Sequence, residues 1–211
     1  MPISVASSFA SAGLVPKGRV RWEEEFSERA PGVYVLSLTP DWDSVSPTLV
    51  TAPIDVVQLD RLVAARPYVR VDGSPADSAL LGRRIGCFWL PKEPILYIGQ
   101  TKKPLRSRVG DFYKHSIGDR SPHAGGWWVK ALSCLPDVYV HYVPTNDFEA
   151  CERVMLRHFV ANAEVPSVAA GAQRHDGMPF ANKEWWTEAG QRIRRNHGIG
   201  YATRDPRGAL T

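Results

Sequence analysis

Apolar positions along the chain fall into short continuous runs and longer helical stripes. Gly32-Val33-Tyr34-Val35-Leu36-Ser37-Leu38, introduced by Pro31, is a β-branched and aromatic run of strand length. Ile95-Leu96-Tyr97-Ile98-Gly99-Gln100-Thr101 is a second such run, and it breaks at a glycine. From Asp137 to Val143, Val138, Val140 and Tyr142 alternate with Tyr139, His141 and Val143, as expected of a strand with two mostly apolar faces. Helical spacing shows elsewhere. Val56, Leu59, Leu62 and Val63 predict a helix within Ile54 to Ala65. Val69 to Gly73 reads as a short strand and turn, after which Ser74-Pro75 is expected to open a second helix through Leu80, Leu81 and Ile85. A basic helix begins at Pro104, with Leu105, Val109 and Phe112 as its core stripe. A short helix from Trp127 to Leu132 and a long one from Asp147 to Asn162 complete the pattern.

Strands and helices mix along the chain, so the fold class is α/β of the α+β type. The stretch of about 42–85 reads as a helical insertion between the first two strands of one sheet. Residues 1–31 read as an N-terminal arm, whose opening stretch Met1 to Val15 is expected to be loose or to pack at an edge. Residues 184–211 read as a basic C-terminal tail with Arg192, Arg194, Arg195, Arg204 and Arg207.

Composition narrows this picture only a little. A length of 211 residues suits one domain with elaborations, and 44% hydrophobic residues is enough for a real core. The net charge of +4 fits a polyanionic partner but is common among proteins that never touch one. Cys87, Cys134 and Cys151 are odd in number and far apart, which supports neither a zinc ribbon nor a disulfide framework. Scattered thiols suggest a reducing, cytoplasmic compartment. No apolar run has membrane-spanning length, and the first residues lack the basic start of a signal peptide.

Two helices carry the candidate chemistry. In the Asp147 helix, Phe148, Cys151, Met155 and Phe159 share a face, and Glu152 lies at the edge of that face while Glu149 and Arg153 point outward. A carboxylate turned toward apolar surface is a metal-ligand or acid-base candidate; the plainer alternative is a rim glutamate paired with an arginine. In the Pro104 helix, Arg108 and His115 flank one side of the apolar stripe and Arg106 and Tyr113 the other. Arginine suits a phosphodiester because its planar fork donates paired hydrogen bonds and stays charged, although a solvated basic face has the same pattern.

Order along the chain adds a further observation. Gly32-Val33-Tyr34, Tyr97-Ile98-Gly99, Arg108, Glu152 and Asn182 occur in the sequence in which the GIY-YIG nuclease superfamily carries its motif tyrosines, arginine, helix glutamate and late asparagine. The chain resembles that superfamily from Gly32 to Asn182, so residues 32–183 would form the nuclease-like domain. The resemblance implies a small antiparallel sheet of three strands flanked by helices, and hydrolysis of DNA phosphodiesters with one divalent cation, magnesium or manganese. It implies Glu152 as metal ligand, Arg108 as clamp on the scissile phosphate, Tyr34 and Tyr97 as the residues that position or deprotonate water, and Asn182 as a structural hydrogen-bonder. Phe112 stands where the family has histidine or tyrosine, leaving Tyr113, His115 or His123 as substitutes. Gly86-Cys87-Phe88 competes with Gly32-Val33-Tyr34 as the first tripeptide.

Lys102, Lys103, Arg106, Arg192, Arg194 and Arg195 are the expected nucleic-acid contacts. DNA is the expected partner, with RNA as an alternative, no membrane association, and a homodimer where both strands are cut. The competing function is a catalytically inactive nucleic-acid-binding module on the same fold.

Overall fold

The computed structural model describes residues 1–46, 49–119, 126–166 and 176–201. Its elements in chain order are α1 (Val5–Ser11), β1 (Gly18–Arg21), β2 (Gly32–Ser37), α2 (Val56–Ala65), β3 (Val69–Val71), β4 (Ser74–Pro75), α3 (Ser78–Gly86), β5 (Ile95–Thr101), α4 (Leu105–Lys114), α5 (Gly126–Lys130), β6 (Tyr139–Pro144), α6 (Phe148–Asn162), β7 (Glu184–Trp186), β8 (Arg192–Arg194) and β9 (Ile199–Tyr201). Helices and antiparallel sheets together make the chain an α/β protein. Among the described residues, no helix is long and apolar enough to cross a membrane.

The main sheet has the order β1-β6-β2-β5 and is antiparallel throughout. It therefore has four strands rather than the expected three, because β1 comes from the segment read as an arm. Within it, β1 forms the sheet edge beside β6, whereas the Met1 to Val15 stretch is neither loose nor at an edge: α1 buries Val5 and Phe9 completely in a core shared with α6. β2 is buried at every position and lies beside β5, with Tyr34 opposite Gly99 and Leu36 opposite Tyr97. The long insertion thus leaves the two motif strands adjacent. Gly86-Cys87-Phe88 instead sits at the end of α3 and the turn after it, with Phe88 packed on Trp128, so it is no partner for β5.

Each face of the sheet covers a separate core. Tyr34, Leu36, Leu96 and Tyr97 point into one, with α2, α3, α4 and the Trp127-Trp128 pair. Val33, Val35, Ile95 and Ile98 point into the other, with α1 and α6. In β2 the alternation follows from the period-two geometry of a strand, whereas in β5 the register shift opposite Leu36 and Ser37 lets the adjacent Leu96 and Tyr97 enter the same core.

The insertion folds as α2, the β3–β4 hairpin and α3. Its second helix begins later than the Ser74-Pro75 signal implied. Ser74 and Pro75 pair with β3, and Asp77 is the cap, its carboxylate accepting from Leu80 N at 2.7 Å. A carboxylate one residue before the helix meets the free N–H groups there, and a strand-paired serine cannot. The basic tail is also not a free extension within the described residues. β7 and β8 form a hairpin, and β9 pairs with β3 of the insertion.

Candidate active site

β5 is an edge strand, and its unpaired side is where the site forms. Asn182 covers that side: its amide oxygen accepts from Ile98 N at 2.9 Å, and its amide nitrogen donates to Ile98 O at 2.8 Å. Ala181 N donates to Leu96 O at 2.8 Å. A side-chain amide thus takes the place of a neighbouring strand and satisfies an otherwise exposed edge. This fastens the segment leading to the β7–β8 hairpin beside Tyr97.

On the other side of β5, α4 positions Arg108. The first N–H groups of α4 lack a side-chain cap because Pro104 has none to offer. The chain before β2 supplies the acceptors, with Leu105 N donating to Ala30 O and Arg106 N to Glu28 O, both at 2.9 Å. The helix start is therefore tied to the start of β2, and Leu105, Val109 and Phe112 are buried as the stripe predicts. Arg108 lies one turn behind Phe112, its guanidinium 5.9 Å from the Phe112 ring.

Arg108 Nε donates to the Tyr34 hydroxyl at 3.3 Å. The Tyr97 phenol lies within electrostatic reach of both Tyr34 and Arg108. The two tyrosine rings are 5.9 Å apart, and both pack over Gly99. A Cβ on residue 99 would fall 2.8 Å from Tyr34 Cζ, so glycine is required there by close approach.

Tyr34, Tyr97, Arg108 and Glu152 come together, but they do not have equal access. A cleft of about 440 Å³ is lined by Tyr97, Arg108 and Glu152, with Gln100, Asn182, Lys183, Glu184, Trp186, Arg192, Arg194 and His197 also facing it. Tyr34 is fully buried and does not line the cleft. It stands behind Arg108. Burial pushes both phenols upward, Tyr97 well above its ordinary value, with Arg108 acting in the opposite direction. Both hydroxyls are neutral in the chain alone, which suits positioning of water better than removal of its proton.

Glu152 is half-buried on α6, beside the buried Cys151, Met155 and Leu156. Burial pushes its carboxyl up to about 7, the neighbouring Glu184 adds to the rise, and Arg108 and Arg153 offset part of it. A desolvated carboxylate that forms no ion pair among the described residues fits a cation. No group of three or more His, Cys, Asp or Glu among the described residues could hold a metal by itself. Glu152 offers a hard oxygen donor of the kind magnesium accepts alongside water, while Glu184 beside it is engaged by Arg192 and Arg194.

Several expected site residues lie elsewhere. His115 caps the end of α4 two turns beyond Arg108, its Nδ1 against Asp111 O, and it does not line the cleft. Tyr113 packs its ring against Trp22 at 5.0 Å, and burial pushes its hydroxyl up to about 12. His123 lies outside the described residues. Arg195, expected to contact nucleic acid, is buried: its guanidinium pairs with Asp176 at 2.6 Å and donates to Phe180 O. Its charge is consumed in holding the loop before Asn182, so it is an internal anchor. Lys102, Lys103 and Arg106 are exposed around the turn from β5 into α4. Arg192 and Arg194 face the cleft, where both pair with Glu184.

Lys183, Glu184, Trp186 and His197 were not singled out from the sequence. The one signal for Lys183 and Glu184 was their place directly after Asn182. Burial lowers the His197 ring to about 4, with Lys183, Arg195 and Arg84 pushing the same way, so the cleft contains a neutral histidine. No protein-family model, curated protein or solved structure matches the chain.

Proposed function

We propose that the chain is a divalent-metal-dependent endonuclease of the GIY-YIG type that hydrolyses phosphodiester bonds in DNA. The observation that supports this reading is the convergence of Tyr97, Arg108 and Glu152 on one cleft, with Tyr34 hydrogen-bonded behind Arg108. Residues from three distant parts of the chain, on β5, α4 and α6, line one cleft. Their chemistry is that of phosphodiester cleavage.

Arg108 binds the scissile phosphate and takes up charge as it develops on the non-bridging oxygens. Tyr34 holds the guanidinium from behind, so Arg108 is oriented before substrate arrives. Tyr97, the tyrosine that faces the cleft, orients the attacking water. Glu152 would hold magnesium or manganese. That cation, when bound, supplies Lewis-acid stabilisation of the phosphoryl oxygens. Asn182 keeps β5 and the cleft wall in register.

Arg192, Arg194 and the exposed Lys102, Lys103 and Arg106 bind the DNA backbone without reading sequence. Three free cysteines, of which Cys87 is exposed, suit a reducing compartment such as the cytoplasm. A homodimer would supply the second active site needed to cut both strands.

Phe112 favours a second reading. It is buried at the turn where the family has a titratable side chain, and its ring packs on both Tyr34 and Tyr97. A chain that lacks this group could retain DNA binding without cleavage. Incubation of supercoiled plasmid with the purified chain, in magnesium, in manganese and in chelator, separates the two. Cation-dependent nicking supports the endonuclease. Binding of the plasmid without nicking in either cation supports the inactive module.

A further inference from the structure

The cleft contains a lysine that no expected role absorbs. Lys183 follows Asn182 directly, and its backbone is fixed on both sides. Asn182 is doubly hydrogen-bonded to Ile98, and Lys183 O accepts from Arg195 N at 2.8 Å. The residue is therefore placed by β5 on one side and by the Arg195 anchor on the other.

Its side chain runs over two buried indoles. Nζ lies 5.7 Å from the Trp127 ring and 6.0 Å from the Trp128 ring, and both rings belong to the core. Lys183 forms no ion pair with any carboxylate among the described residues, whereas Arg192 and Arg194 share Glu184 and Arg195 has Asp176. Burial, with Arg195 adding to it, lowers the ammonium to about 8, so it remains mostly charged at neutral pH. Indole faces supply part of what a desolvated ammonium needs, but they do not replace an anion.

From this placement we infer that Lys183 is a phosphate-binding residue of the cleft, donating to a non-bridging oxygen of the nucleic-acid backbone from a different chain segment than Arg108. The inference rests on the phosphodiester reading of the cleft. It adds to Arg108 and the hairpin arginines a cation of separate origin: Arg108 is borne by α4, and Lys183 by the segment that Asn182 latches to the edge of β5. Two cations on independently anchored elements fix the path of the backbone as well as its affinity. The neutral His197 beside Lys183 adds no competing charge.

The test uses the full chain carrying Glu152→Gln, so that substrate is not consumed, and a fluorescently labelled DNA duplex in chelator. Anisotropy titrations over a range of potassium chloride concentrations compare Lys183 with Lys183→Met, Lys183→Gln and Lys183→Arg. Methionine keeps an unbranched stem over the indoles, glutamine removes the charge with different packing, and circular dichroism verifies the fold of each.

The expected result is about tenfold weaker binding at low salt for the methionine and glutamine variants. The slope of log affinity against log salt should flatten by about 0.9, the release associated with one phosphate contact. Lys183→Arg should keep the slope. Unchanged affinity and slope in the charge-removing variants overturn the assignment, as does weaker binding with an unchanged slope, which signals packing alone. If the Lys183 form itself binds no duplex, the nuclease reading fails and this inference falls with it.

Discussion

Arg108 Nε donates to the Tyr34 hydroxyl across 3.3 Å, joining positions 74 residues apart in the chain. The contact gives each residue a separate function. Arg108 reaches the cleft, and Tyr34, fully buried, sets the direction from which it does so.

Tyr34→Phe removes this bond while conserving ring shape. Single-turnover cleavage should slow by roughly two orders of magnitude, because a loosened guanidinium loses transition-state stabilisation rather than ground-state binding. DNA affinity should stay within about threefold. Arg108→Ala should slow turnover further, and adding Tyr34→Phe to it should cost little more, since the two act as a unit. Fully additive effects would separate them.

Gly99→Ala probes the same cluster sterically. The new methyl would meet the Tyr34 and Tyr97 rings where strand pairing leaves no room. Urea denaturation should show a loss of about 1–3 kcal/mol, the usual range for overpacking. Activity should fall by more than the lost stability explains, as both hydroxyls shift.

Arg195 and the hairpin arginines should separate cleanly. Arg195→Ala removes a buried guanidinium that holds Asp176 and Phe180 O together, and should destabilise the fold by about 3–5 kcal/mol. Arg192→Ala with Arg194→Ala removes cations that face the cleft, so duplex binding should weaken and its salt slope flatten by up to about 1.8. Fold stability should change little in that pair, since both side chains are largely exposed.

Acid should remove the stability contributed by the buried His141, against the opposite contribution of Glu93 and Glu152, whose raised carboxyls favour the folded chain as pH falls from about 7. His141 is fully buried in β6 with Nε2 donating to Thr39 O, and burial lowers it from 6.5 to about 4. Its folded value is depressed, so the folded chain binds fewer protons there than the unfolded chain. The associated stability is present above pH 6.5 and is lost as pH falls toward 4. The loss for this one group is about 3 kcal/mol. His141→Gln keeps a donor for Thr39 O without titrating, so its denaturation midpoint should fall less steeply over that window. His197, lowered to a similar value, contributes a residual slope.

Much of the scaffold was legible from periodicity. The two motif strands, the central β6 and the stripes of α4 and α6 depend on local alternation of apolar residues, which burial on a sheet or helix face requires. Glu152 at the edge of an apolar face could be read from the same geometry. The unequal access of Tyr34 and Tyr97 could not, because it depends on which side of β5 remains unpaired. Arg195 illustrates the limit from the other direction. A tail arginine in a basic run looks solvated, and only the return of residues 176–182 beneath it creates the buried pair with Asp176. Lys183 and Glu184 were hidden for a related reason: they reach the cleft through the bonds between Asn182 and Ile98, 84 residues apart. The N-cap at Asp77 was missed because Ser74-Pro75 is an equally good local helix signal, and pairing with β3 overrode it.

The measurement that bears most directly on the account compares Glu152→Gln with Glu149→Gln in magnesium-dependent plasmid nicking. Glu152 faces the cleft, while Glu149, three residues earlier on α6, is exposed. Nicking should be abolished in the first variant and retained in the second. Thermal stability without divalent cations should hold or rise in Glu152→Gln, because a desolvated carboxylate has been replaced by a neutral amide. Equal nicking by the two variants, or none by the unaltered chain in magnesium or manganese, would contradict the account.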